Sequence, residues 1–370
     1  MWRRLAAWMR FDGASGKPNP LKRRPAPVQT ILVETAFAPN PGNLRMFSYV
    51  PPGLKKGAPL VVLLHGCGQT AGGYDFGTGW SGLAAQSGFA VLAVEQKALN
   101  NPNTCFNWFN PEDTRRGEGE AASIASMIAT MLRDYPLDPA RVFITGLSAG
   151  GAMTAVMLAA YPELFAGGAI IAGLPFGAAA NVRDALDAMR SAPLRTPQDW
   201  GTLVRKASPH TGPWPKISIW HGALDTTVNI NNAQASVAQW ADVHGIALTA
   251  ARQDMADGAI HLRWDDRLEV YTIPALTHGT PIDSAVAGEP APFILEAGIS
   301  STHRIAEFFG LTMKPAARPR PVPVRVMAAA SEQLVLPRIE EALVQPPPAA
   351  PQVENVILRA LRAAGLLRKG

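Results

Sequence analysis

Only two cysteines, Cys67 and Cys105, occur in the 370 residues. Two thiols cannot fill a four-ligand zinc site, and no C-x-x-C or H-E-x-x-H supplies the missing ligands, so neither a metal nor a cofactor is expected. They either pair, closing a loop of about 40 residues worth about 4 kcal/mol in the chain-entropy model, or stay free as buried thiols, the form favoured in the cytosol. Long apolar runs are missing too, which excludes a transmembrane helix. The first residues, MWRRLAAWMRFDG, have no apolar stretch leading to a small-residue cleavage site, so no standard secretory signal is visible. An excess of basic charge is absent from the body of the chain. Residues 1–30 carry seven Lys/Arg against one acid and residues 314–370 nine against four, although the whole chain is only +5. The region between is therefore acidic, which excludes a nucleic-acid partner.

What the chain does have is 47% hydrophobic residues, enough for an enzyme-sized core. Two apolar runs at 31–37 and 44–50, joined by Pro39-Asn40-Pro41-Gly42-Asn43, predict an antiparallel hairpin at a sheet edge. Beyond them strand and helix patterns alternate: strands at 60–64, 89–94, 142–144, 168–172, 217–221 and 268–273, helices at 80–86, 120–132, 182–189, 231–243 and 303–309. Such alternation implies an α/β fold whose mostly parallel sheet has helices on both faces. Sites in such sheets gather at the carboxyl ends of the strands. The single domain spans 31–313, after a basic segment at 1–30. A Pro-rich linker follows at 314–351, then a basic amphipathic helix at 352–370. Trp2, Leu5, Ala6 and Met9 share a helical face, consistent with a surface-lying helix or a loosely packed start. Both basic ends are candidates for contact with a granule or membrane surface.

The stretch RVFITGLSAGGAMTAVMLAA, 141–160, carries the chemistry. An apolar strand enters the turn Gly146-Leu147-Ser148-Ala149-Gly150 and leaves as a helix, the pattern of a nucleophile elbow. Glycines on either side let strand and helix approach closely, and the N–H of Ala149 at the helix start points where an oxyanion would form. A serine needs a base, and the base an acid to fix its tautomer. Asp225 follows the strand Ile217-Ser218-Ile219-Trp220-His221, and His278 follows the strand ending at Ile273, so both fall on the sheet edge that carries Ser148. The second oxyanion donor is expected from the loop His65-Gly66-Cys67-Gly68, with the backbone of Cys67 the candidate. His65 and His221 read as hydrogen-bonded structural histidines. His210, His244, His261 and His303 belong to no motif, and Asp254, Asp257, Asp265 and Asp266 sit in a polar hairpin region read as solvated surface.

Six segments together resemble the polyhydroxybutyrate depolymerase-type esterases of the α/β-hydrolase fold. They are LLHGCGQTAGGYD (63–75), NPNTCFNWFNPEDTRRGEGEAASI (101–124), DPARVFITGLSAGGAMT (138–154), YPELFAGGAIIAGLPFG (161–177), WPKISIWHGALDTTV (214–228) and HGTPID (278–283). The resemblance implies a serine esterase acting on short-chain polyhydroxyalkanoates or their oligomers, with feruloyl and acetylxylan esterases as relatives. It places the triad on Ser148, Asp225 and His278. It also implies a Cys67–Cys105 disulfide pinning the oxyanion loop to Asn107 and Trp108 as substrate contacts, with Phe106, Trp108 and Phe109 as an apolar wall. An extracellular location follows from the family, a cytoplasmic or granule-associated one from the missing signal. The alternative from another class is a non-catalytic granule- or surface-binding protein.

Overall fold

The computed structural model describes residues 32–312. The expectations for 1–30, for the Pro-rich 314–351 and for the basic helix at 352–370 lie outside the described residues. The short strands β1 (Val33–Thr35) and β2 (Arg45–Tyr49) form the antiparallel edge hairpin. Its turn closes on Asn40, whose side chain accepts from Leu44 N–H at 3.0 Å and donates to Leu44 O at 2.9 Å.

β3 (Ala58–Leu64) is buried at every position, as a strand covered on both faces must be. Helices α1 (Ala71–Thr78) and α2 (Trp80–Ser87) lead to β4 (Ala90–Glu95). A short α3 (Pro111–Thr114) and a long α4 (Gly119–Asp134) precede β5 (Leu137–Leu147) and α5 (Ala149–Ala160). Then come β6 (Gly167–Ile171), α6 (Val182–Arg190), α7 (Pro197–Ala207), β7 (Lys216–Gly222) and α8 (Asn231–His244). The hairpin β8 (Arg252–Ala256) and β9 (Ala259–Trp264) runs into β10 (Leu268–Ile273). A small parallel pair, β11 (Thr280–Ile282) with β12 (Ile294–Glu296), and α9 (Ser301–Phe309) complete the described chain.

The main sheet has ten strands in the order β1-β2-β4-β3-β5-β6-β7-β10-β9-β8. β4, β3, β5, β6, β7 and β10 run parallel, and antiparallel strands flank them on both sides. Two cores result. One face buries Ile144, Met157, Trp200 and Trp240. The other buries Val61, Trp80, Phe143 and Phe309, with the rings of Phe143 and Phe309 stacked at 4.5 Å. Every residue of α5 is buried, and each fully buried aliphatic side chain there contributes about 2 kcal/mol. The helix behind the elbow is thus among the most firmly seated parts of the fold. Among the described residues no helix is long and apolar enough to cross a membrane.

The polar hairpin region forms β8 and β9 and extends the sheet by two strands, with Asp254, Asp257, Asp265 and Asp266 all exposed on it. His261 is buried there, stacked on Tyr271 at 4.0 Å and placed 3.0 Å from Glu269.

Candidate active site

β5 ends at Leu147 and α5 begins at Ala149, leaving Ser148 alone at the turn. Its φ of +57° is a conformation that non-glycine residues adopt only under strain, and it lifts the side chain out of both elements. The strain is held by packing. Ser148 N–H donates to Ile171 O of β6 at 2.9 Å, and a Cβ on Gly150 would run into the carbonyl oxygens of Leu64 and His65 at the end of β3. Only glycine lets α5 sit this close to the neighbouring strand.

Asp225 and His278 arrive from β7 and β10, which are paired in parallel register. Ala223 N–H donates to Ile273 O at 2.9 Å and Leu224 N–H to Leu276 O at 3.0 Å, stitching the two turns together. His278 Nδ1 lies 2.7 Å from Oδ2 of Asp225, and its Nε2 lies 2.9 Å from Oγ of Ser148. A carboxylate only accepts, so Nδ1 carries the proton and Nε2 is left to receive one from the serine. Oδ1 of Asp225 takes the N–H groups of Thr227 and Val228, both at 2.9 Å. Burial alone would raise this carboxyl. The hydrogen bonds from His221 and His278, together with the electrostatic attraction of the two rings, outweigh it and hold Asp225 well below the ordinary carboxylate range.

Across the elbow lies the loop after β3. Gln96 N–H donates to Nε2 of buried His65 at 3.1 Å, so the ring proton sits on Nδ1 and goes to Gly66 O at 2.8 Å. Burial keeps this imidazole below its ordinary pKa, in keeping with a neutral ring. In a trans peptide, holding the Gly66 carbonyl on one side turns the Cys67 N–H to the other. Among the described residues neither the Cys67 nor the Ala149 N–H has a hydrogen-bond acceptor, which leaves two donors free for an oxyanion.

Cys67 is joined to Cys105 by a disulfide, and among the described residues no cysteine is free. The bond ties the oxyanion loop to the segment carrying Asn107 and Trp108. There the apolar wall is corrected in part: Phe106 is fully buried against His65, ring centroids 5.1 Å apart, and belongs to the core. Trp108 is nearly buried and meets Phe109 edge-on at 5.5 Å. Asn107 is engaged by the start of α4, donating to Glu120 from both its backbone N–H, at 2.9 Å, and its amide, at 2.8 Å. Glu120 was not foreseen from the sequence, where it marks only the start of a helix. Burial, helped by the charge of Asp113, pushes its carboxyl up to about 8 against the hydrogen bonds it accepts.

Two more unforeseen residues complete the site. Phe293, at φ +62°, lays its ring edge-on to His278 at 5.9 Å and is about half exposed. Gln69 accepts from Gly66 N–H at 2.8 Å and donates to Pro292 O at 2.9 Å, bridging the oxyanion loop to the segment beside His278. The described residues contain no cluster of His, Cys, Asp and Glu able to hold a metal.

A buried acid, an imidazole in a fixed tautomer, a hydroxyl on a strained turn and two unpartnered N–H groups can together attack, and stabilise charge on, a carbonyl. Residues 44–258 match the family model described as esterase PHB depolymerase. The chain belongs to the PHB depolymerase esterase family. It is 44% identical over 294 residues to a poly(3-hydroxyalkanoate) depolymerase C of Paucimonas lemoignei, covering 77% of this chain and 71% of that protein. It is 37% identical over 242 residues to an acetylxylan esterase of Coprinopsis cinerea, 64% of this chain and 63% of that protein. The structure is similar to that of an acetyl xylan esterase from Aspergillus awamori, with TM-score 0.67 and 26% identity over 76% of this chain and all of that one. The fold is the α/β-hydrolase fold, and the protein is a carboxylic ester hydrolase of this PHB depolymerase family. The reading as a non-catalytic surface binder falls with that finding.

Proposed function

We propose that the enzyme hydrolyses the ester bonds of short-chain polyhydroxyalkanoates or their oligomers through an acyl-enzyme. The observation that carries the mechanism is the unbroken chain from Ser148 Oγ through His278 to Asp225, at 2.9 and 2.7 Å. Oγ attacks the ester carbonyl while Nε2 of His278 takes its proton; the carbonyl oxygen, now negative, is held by the N–H groups of Cys67 and Ala149. The tetrahedral centre collapses, its C–O bond to the alcohol breaks, and His278 returns the proton to the departing alkoxide. Water then repeats the sequence on the acyl-serine, releasing the acid and restoring Ser148. Asp225 stays ionised throughout and balances the imidazolium. Trp108, buried but for a small exposed edge, is assigned to the substrate side, with Asn107 tying its loop to Glu120.

The depolymerase relative, matched over most of both chains, supports the polyester substrate. The acetylxylan esterase relative and the similar Aspergillus awamori structure favour a second reading, acetylated xylan. The disulfide supports work in an oxidising, extracellular setting.

Rates on hydroxybutyrate oligomers, acetylated xylan and methyl ferulate, with Ser148→Ala beside the wild type, test both levels. The oligomers are expected to be turned over fastest, with Ser148→Ala several orders of magnitude slower on all three. Faster release of acetate from xylan would transfer the substrate to the second reading. Ordinary activity in Ser148→Ala would overturn the mechanism itself.

A further inference from the structure

His221 is the last residue but one of β7, four residues before Asp225, and its side chain is almost wholly removed from solvent. Its Nε2 lies 2.8 Å from Val228 O. A carbonyl cannot donate, so Nε2 carries the ring proton. The same nitrogen is 3.3 Å from Oδ2 of Asp225, the oxygen that meets His278, whereas Oδ1 is taken up by the backbone of the turn. One imidazole N–H thus spans the two ends of the turn that carries the acid. A histidine kept only to fill space or to close a turn would need the Val228 contact alone.

We infer that His221 is a positioning residue of the esterase: its Nε2–H, anchored on Val228 O, fixes Oδ2 of Asp225 so that His278 meets the acid in one orientation and with one basicity. The inference rests on the proposed triad. The acid turn is already joined to the base turn at Ala223 and Leu224, and a Cβ on Gly222 would strike the carbonyls of Leu276 and Thr277. Those ties set the distance between the two backbones. They leave the Asp225 carboxylate to the groups that meet its two oxygens: the Thr227 and Val228 N–H groups on Oδ1, and on Oδ2 the side chains of His221 from β7 and His278 from the loop after β10. The N–H of His221 draws Oδ2 towards itself and weakens the negative potential that His278 feels. It therefore acts on the proton transfer, not on substrate binding.

His221→Leu and His221→Gln are compared with wild type on p-nitrophenyl butyrate across pH, each rate divided by the number of Ser148 sites labelled to completion with a fluorophosphonate. His221→Leu is expected to lower kcat by about tenfold to a hundredfold, the range that misplacement of a catalytic group produces. KM should stay within about threefold, and the acid limb of kcat/KM should move. His221→Gln, whose amide N–H can occupy the place of Nε2, should restore the limb and most of kcat. Wild-type kcat and an unmoved limb in His221→Leu, per labelled site, would overturn the inference even with a lowered Tm. So would equal losses in the two variants. Should His221→Leu fail to fold, His221→Asn, whose amide is too short to span Val228 and Asp225, replaces it against His221→Gln. Ser148→Ala, whose rate is taken per mole of protein because it has no serine to label, separates the two levels: if it stays active the triad is wrong, and if it is dead while the His221 variants are unaffected only this inference fails.

Discussion

Asp225 and His278 are 53 residues apart in sequence, yet Oδ2 of one lies 2.7 Å from Nδ1 of the other because β7 and β10 are neighbours in the sheet. All four hydrogen-bond directions around this carboxylate face donors: two backbone N–H groups on Oδ1, and His278 with His221 on Oδ2. An acid so enclosed has one orientation and one charge.

Asp225→Asn should keep the fold and lose about four orders of magnitude in kcat, because an amide NH2 facing Nδ1 would reverse the tautomer of His278. Steady-state rates with a circular-dichroism melt check this. A loss below about tenfold with an unchanged melt would remove Asp225 from the mechanism.

Two glycine-to-alanine changes should act in opposite directions. At Gly150 the new methyl meets the backbone of Leu64 and His65, which cannot move without disturbing β3. An overpacking cost of about 1–3 kcal/mol is expected, with a loss of about a hundredfold in kcat from the displaced elbow. Gly82 lies inside α2 with nothing within 4 Å of the position its Cβ would take. There alanine should raise stability by about 0.5–1 kcal/mol, the helix propensity difference, and leave kcat alone. Paired thermal melts and rates read both.

Removing the disulfide as Cys67→Ser with Cys105→Ser opens a link between residues 38 apart. The chain-entropy model puts its contribution at about 4 kcal/mol, which for a body of this size is a fall of about 10 °C in Tm. Because Cys67 carries a proposed oxyanion donor, kcat should fall more than KM rises. An unchanged Tm would show that the bond constrains neither state.

Glu120 should give stability a downward slope with pH. Unfolded, its carboxyl ionises near the ordinary 4.5; folded, burial and the Asp113 charge hold the proton to about 8. The folded state therefore binds more protons across that window, and stability falls as pH rises through it. Glu120→Gln should be less stable than wild type at pH 5, where Asn107 loses an acceptor, and the gap should narrow towards pH 8. Melts at four pH values decide; parallel curves would mean Glu120 is ionised in both states.

The elbow, the acid and the base were legible because each is a local signal: a glycine-flanked serine between strand and helix, and an Asp and a His just past apolar strands. The sheet core was legible for the same reason, since β3 shows as an unbroken apolar run. α7 carries local start signals of its own, Pro197 and a capping box between Thr196 and Asp199. Helix α1 has glycines and no apolar period, and only its N-cap Thr70 betrays it. What no local pattern could show is contact at a distance. Gln69 meets Pro292 across 223 residues, Glu120 is buried by a loop that precedes it, and the ring of Phe293 reaches His278 only because β11 and β12 pair.

The bridge made by Gln69 has a mechanical consequence. With Oε1 on Gly66 and Nε2 on Pro292, one side chain ties a loop before the serine to a segment after the histidine. Neither segment can swing away without breaking a hydrogen bond to the other, so the two move as a single unit and not as independent flaps. Amide exchange at Gly66 and at Thr280, whose N–H donates to Phe293 O, should then share one opening free energy.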